Sequence, residues 1–161
     1  MRARSRGYVH RVDIGVDIAE VWQALVDPAW LARWYAQLAR VDAREGGGYW
    51  VRADDRTREA HIDVFLPPRR LRLIYMPQPE LPAGEAVMVD DFLLDRDEAA
   101  AAASGHAATV LRLLGSGIPE TQIWDVTYAR LRVSWQRSLL RLKTALEKPY
   151  GMDRRRADGS H

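Results

Sequence analysis

His61 and Asp63 stand two residues apart in the alternating segment Glu59 to Leu66, so their side chains share a face with Glu59 and Phe65. A histidine titrates near neutrality, and beside a carboxylate it can move protons. Two facings are open. Local apolarity turns Ile62, Val64 and Leu66 inward and leaves the polar stripe in water. The reverse facing would bring His61 inside. Asp90 raises a similar question, because it shares a strand face with Phe92 and Leu94. Buried there, its carboxylate needs a partner or a raised pKa; at the strand mouth, water solvates it. Tyr49 and Tyr75 fall on faces with Val51 and Leu73. The run Gly46 to Gly48 leaves Tyr49 against Trp50 open by one residue, and such a slip exchanges the faces.

Aromatic side chains are the other chemical resource: six Trp, six Tyr and two Phe. Trp34, Trp124, Tyr128 and Trp135 recur on helical stripes. Singly, each is a core filler. As a group they suit a pocket for an apolar or aromatic ligand, since Tyr and Trp keep one polar handle. Metal and nucleophile chemistry finds little support. The histidines at 10, 61, 106 and 161 show no ligand spacing. The triple glycine precedes a strand and lacks the GKS or GKT of a phosphate loop. Ser116 lacks a Gly-x-Ser-x-Gly elbow. No catalytic residue is assigned, and neither metal nor cofactor is expected.

These residues need elements to hold them. Tyr8 to Ile14 reads as a strand. Asp17-Ile-Ala-Glu20 is a capping box, and Val21, Trp22, Leu25 and Val26 continue at helical spacing, which predicts a helix over Ile18 to Val26. Asp27-Pro28 caps and opens a second helix carrying Trp30, Leu31, Trp34 and Leu38. The period then becomes two. Strands are predicted at Tyr49 to Asp54, Glu59 to Leu66, Leu71 to Met76, Val87 to Leu94 and Ala107 to Leu114. Between them lie a turn at Asp54-Asp55-Arg56, a loop from Pro77 to Glu85, and a connection from Asp95 to Gly105 with room for a helical turn. Gly115 to Pro119 ends the last strand. Ile123 to Glu147 is a long amphipathic helix with Trp124, Tyr128, Leu131, Trp135, Leu139, Leu142 and Leu146 inside and Arg130, Arg137 and Arg141 opposite. Pro149 stops it. The polar stretch after it, and residues 1–7, read as flexible termini around a single domain over 8–148.

The chain has 161 residues, 47% hydrophobic and 29% charged, and a net charge of +2. Such a composition excludes a disordered chain. No apolar run reaches the roughly 18 residues that span a bilayer, so no membrane insertion is expected. Cysteine is absent, which removes disulfides and thiolate chemistry and points to the cytoplasm. The basic residues are 22 arginines against two lysines, beside 22 alanines, as in GC-rich bacterial coding. Interior charges are mixed in sign rather than gathered in a stripe, so nucleic acid is not the expected partner.

The order strand, two short helices, about six strands and one long helix describes an α+β helix-grip fold: a curved antiparallel sheet wrapped around the C-terminal helix. The motifs Val16 to Trp22, Asp27-Pro28 and Leu31-Ala-Arg-Trp34 resemble the opening of the START-like SRPBCC superfamily. Within it they are closest to the branch of the Hsp-ninety ATPase activator homologues. Glycines before a strand, Pro67-Pro68-Arg69-Arg70-Leu71, Ser116-Gly117-Ile118-Pro119 and the terminal helix follow in the same order. The resemblance covers residues 8 to 147. It implies that His61, Asp63 and Phe65 face the cavity and Ile62 and Val64 face away. Gly115 stands where many members carry a polar residue, which removes one polar group from the implied pocket wall.

One helix does not cover so wide a sheet, and the space left over is the expected site, a cavity of at least roughly 300 Å³. The reading that follows is a binding protein for a small hydrophobic or aromatic molecule, with Trp34, Tyr49, His61, Tyr75, Phe92, Trp124, Tyr128 and Trp135 as candidate contacts. Two alternatives stand beside it. One is a cyclase- or dehydratase-type enzyme using His61, Asp63 and Tyr75 as acid/base groups. The other is a protein-interaction module of the chaperone-partner kind. A homodimer stands open as an assembly.

Overall fold

The computed structural model describes residues 4–53, 56–78, 81–82 and 86–148. The turn at Asp54 and Asp55, part of the loop from Pro77 to Glu85 and the segment 149–161 lie outside them. Strand β1 (Ser5–Ile14) leads to helices α1 (Ile18–Val26) and α2 (Pro28–Trp34). Six strands follow: β2 (Leu38–Val41), β3 (Gly48–Ala53), β4 (Arg56–Leu66), β5 (Arg70–Tyr75), β6 (Val89–Arg96) and β7 (Thr109–Pro119). Helix α3 (Glu98–Ser104) connects the last two, and α4 (Asp125–Glu147) is the last element among the described residues. The seven strands form one curved antiparallel sheet in the order β1-β7-β6-β5-β4-β3-β2, and α4 lies in its grip. This is the helix-grip α+β fold.

Local chemistry sets the helix boundaries. Asp17 accepts from the Ala19 amide at 3.3 Å, and Asp27 accepts from the Ala29 amide at 3.0 Å with Pro28 at the first helical position. Ile18, Val21, Trp22 and Leu25 turn the apolar face of α1 into the core. Trp34 Nε1 donates to the Ala24 carbonyl at 2.8 Å and ties α2 onto α1. The alanine run gives two full turns rather than one, capped by Asp97 and ended by Gly105 in the left-handed region.

Four predicted features differ. Strand β1 starts at Ser5, not Tyr8, because β7 offers partners as far as Pro119. Correspondingly, β7 does not end at Gly115. It continues through Gly115 and Gly117, where neighbours approach too closely for a side chain. Helix α2 stops at Trp34 and does not reach Leu38, which is exposed and opens the short edge strand β2, a segment with no strong β pattern. Gln122–Trp124 form a single 3₁₀ turn before α4 begins.

Strand β4 holds the main correction. Ala60 pairs with Tyr75 and Ile62 with Leu73, but Val64 pairs with Arg72, so the register slips by one at Asp63. That slip is a β-bulge, and it inverts the parity of every face on either side of it. Phe65 therefore packs inward against Trp22, ring centroids 5.4 Å apart, while Ile62 is fully buried and His61 is exposed. The expected inward His61 and outward Ile62 are both overturned; the expected facing of Phe65 holds.

Candidate functional site

A polar cluster is built across the sheet from residues on separate strands. Tyr8 on β1 pairs with Gly115 on β7, and Gly115 pairs with Asp90 on β6, so the three form one row. A Cβ at Gly115 would lie 2.2 Å from the Tyr8 ring. The missing side chain lets the Tyr8 ring cross β7, and its hydroxyl donates to Asp90 Oδ1. Asp90, only 1% exposed, presents its other oxygen to the Arg58 guanidinium at 3.6 Å. Arg58 Nη1 donates to the Tyr35 hydroxyl at 3.1 Å. The guanidinium also lies 4.1 Å from the Tyr75 ring centroid and 5.7 Å from that of Trp135. Both are cation–π distances.

Burial, reinforced by Asp90, raises the Tyr8 hydroxyl far above the usual tyrosine range, so it remains a proton donor. Burial likewise raises Tyr49 and Tyr75. For Arg58 burial opposes the charge, but Tyr75, Tyr35 and Asp90 outweigh it and raise its pKa well above the ordinary value. The guanidinium is a fixed cation under any physiological condition.

Arg58 also lines a cleft of about 770 Å³ beside α4. Tyr35, Arg58 and Trp135 border it together with Leu131, Ser134 and Ser138 of α4 and with Ala53 and Arg56 at the β3–β4 end. The rings form a ladder. Trp34 stacks on Tyr35 at 5.2 Å, Tyr35 on Trp135 at 5.0 Å, and Phe92 meets Trp135 edge-on at 5.6 Å. A smaller recess of about 310 Å³, bordered by Arg33 and Trp34, shares Tyr35, Ala53, Ser134, Ser138 and Arg141 with the cleft.

Of the aromatic and histidine candidates, Trp135 lines the cleft and Trp34 the recess. Tyr75 lies beneath Arg58, and Phe92 supports Trp135 from the core. The others are elsewhere. Tyr49 donates to the Leu25 carbonyl at 2.7 Å, Trp124 is buried in the 3₁₀ turn, and Tyr128 donates to the Gly7 carbonyl at 2.6 Å under Arg6. His61 lies on the outer face, and Asp63 sits 3.8 Å from Arg72. The three groups considered for acid/base work are therefore not brought together. Asp90 is buried rather than solvated. Tyr35 and Arg58 were missed. The signal for Arg58 was its period-two alignment with Ala60 and Ile62, read together with an inward Asp90 as its counter-charge. Among the described residues no cluster of metal-ligating side chains occurs, and no helix is long and apolar enough to cross a membrane.

Fold and cleft together define a helix-grip domain with an aromatic-walled opening beside its terminal helix. The chain belongs to the family of Activator of Hsp90 ATPase homolog 1-like proteins, whose pattern matches residues 16–147. No curated protein matches it in sequence. Among solved structures it is similar to MLL2253 from Mesorhizobium loti, with TM-score 0.74 and 19% identity over 88% of this chain and 97% of that one. It is similar to the Aha1 dimer from Colwellia psychrerythraea, with TM-score 0.73 and 21% identity over 88% and 96%. It also resembles DynU16, a protein in the dynemicin biosynthetic locus, with TM-score 0.67 and 21% identity over 88% of this chain and 47% of that one.

Proposed function

We propose that this protein, acting through the single domain over 8–148, binds a small aromatic molecule in the cleft between α4 and the β3–β4 end of the sheet. The observation that carries it is the cleft itself, walled by the stacked Tyr35 and Trp135 and of a size that fits a drug-sized ligand. Flat rings gain from offset stacking on such a ladder, and two rigid aromatics lose little entropy on binding. The occurrence of a similarly folded protein in a biosynthetic locus agrees with a small-molecule role. Of the acid/base groups considered for an enzyme, only Tyr75 lies in the buried cluster, so binding is preferred to turnover. The dimeric Colwellia relative supports a second copy of the chain as partner.

N-phenyl-1-naphthylamine, a neutral dye that fluoresces out of water, tests the site. It should bind saturably, and Trp135→Ala or Tyr35→Ala should weaken binding by about tenfold, the value of one good aromatic contact. Dye binding indifferent to both substitutions would remove the site.

A further inference from the structure

The charge around the cleft is one-sided. The chain as a whole carries 24 basic and 22 acidic residues. Around the cleft and its recess stand Arg33, Arg56, Arg58, Arg130, Arg137 and Arg141, and among the described residues no carboxylate borders either. Arg58 is engaged by Asp90 and Tyr35. The other five have no ion-pair partner among the described residues, although nine such pairs occur elsewhere in the fold. They approach from three elements: Arg33 from α2, Arg56 from β4, and Arg130, Arg137 and Arg141 from α4. Arg137 and Arg141 are four residues apart on one helix, where like charges repel and destabilise it. Converging cations beside a low-dielectric aromatic wall concentrate an attractive field for an anion.

Resting on the binding function proposed above, we propose that the ligand is an aromatic anion. Its ring lies against Tyr35 and Trp135, and its carboxylate, sulfonate or phosphate lies in the field of Arg56, Arg137 and Arg141. The guanidinium forks match such planar or tetrahedral oxyanions. Ser134 and Ser138, on the same stretch of α4, add hydroxyl donors to the wall. The aromatic ladder selects for the ring and the arginines for the charge.

Two dyes that share one ring system separate the two parts. 8-Anilinonaphthalene-1-sulfonate carries a sulfonate; N-phenyl-1-naphthylamine does not. The sulfonate should bind about tenfold more tightly, and that preference should shrink between about 0.05 and 0.5 M salt. The double variant Arg137→Gln/Arg141→Gln should abolish the preference, the two dyes then binding equally. Its melting temperature should hold or rise slightly, since a repulsive pair is removed; a fall would assign these arginines a structural role and overturn the proposal. Equal binding of both dyes, unchanged in the double variant but lost in Trp135→Ala, would overturn the anion inference and keep the binding site. Indifference of both dyes to Trp135→Ala would overturn both. Arginine-dependent retention on vesicles of anionic phospholipid, with no preference for the sulfonated dye, would reassign the arginines to a membrane surface and overturn the small-ligand proposal.

Discussion

Replacing Arg58 with Met would leave the buried Asp90 carboxylate with only the Tyr8 hydroxyl for a partner. An uncompensated buried charge costs about 3–5 kcal/mol, far more than the pair contributes when intact. Urea unfolding of Arg58→Met should show a loss of that order. In Arg58→Met/Asp90→Asn the charge is gone and the amide still accepts from Tyr8, so at least half of the loss should return. A double variant as unstable as the single one would mean that Arg58 acts through its packing on Tyr75 and Trp135 and not through Asp90. Gly115 belongs to the same unit. Its place in the Tyr8–Asp90 row shows that a departure from the family pattern, which looked like a polar group removed from the pocket wall, is the space that the Tyr8 ring occupies.

Strand β4 shows what was legible in the sequence and what was not. Helix α1 and the start of α2 were readable to the residue, because caps and helix-starting prolines act within one turn; the end of α2 was not, since Leu38, read on its stripe, opens β2. The facing of β4 was not, because it depends on one extra residue at Asp63 that only the partner strand β5 reveals. Local apolarity was right about Ile62, and the facing implied by the family resemblance was right about Phe65; the bulge makes both true. Arg58 escaped notice for a related reason. An inward arginine contradicts a strand's hydrophobic pattern unless its carboxylate partner, two strands away, is known. The structure fixes a test. Ile62→Ala, in the sealed core, should lose about 2–4 kcal/mol, while His61→Ala should change stability by less than about 0.5 kcal/mol. The reverse order would restore the unbulged register. Thermal and urea midpoints of the two variants decide it.

On the scale of the whole molecule, the cleft follows from where the long helix lies. Helix α4 packs on β1, α1 and α2 through Trp135, Leu139 and Leu142, toward one side of the sheet. The β3–β4 end is left facing the flank of the helix, and the arginines stand on that flank. A ligand there bridges α4, the C-terminus of α2 and the sheet, three parts that must separate on unfolding. Binding to the folded state alone stabilises it by RT ln(1 + [L]/Kd). At a hundredfold excess over its dissociation constant, 8-anilinonaphthalene-1-sulfonate should add about 2.7 kcal/mol, and a domain of this size gains about 2–4 °C per kcal/mol. A rise of roughly 5–10 °C is therefore expected in calorimetry. At the same dye concentration, with affinity about tenfold weaker, Arg137→Gln/Arg141→Gln should gain only about 1.4 kcal/mol, half the rise. An equal rise in both proteins would place the dye away from α4. A fall in either would mean that it prefers the unfolded chain.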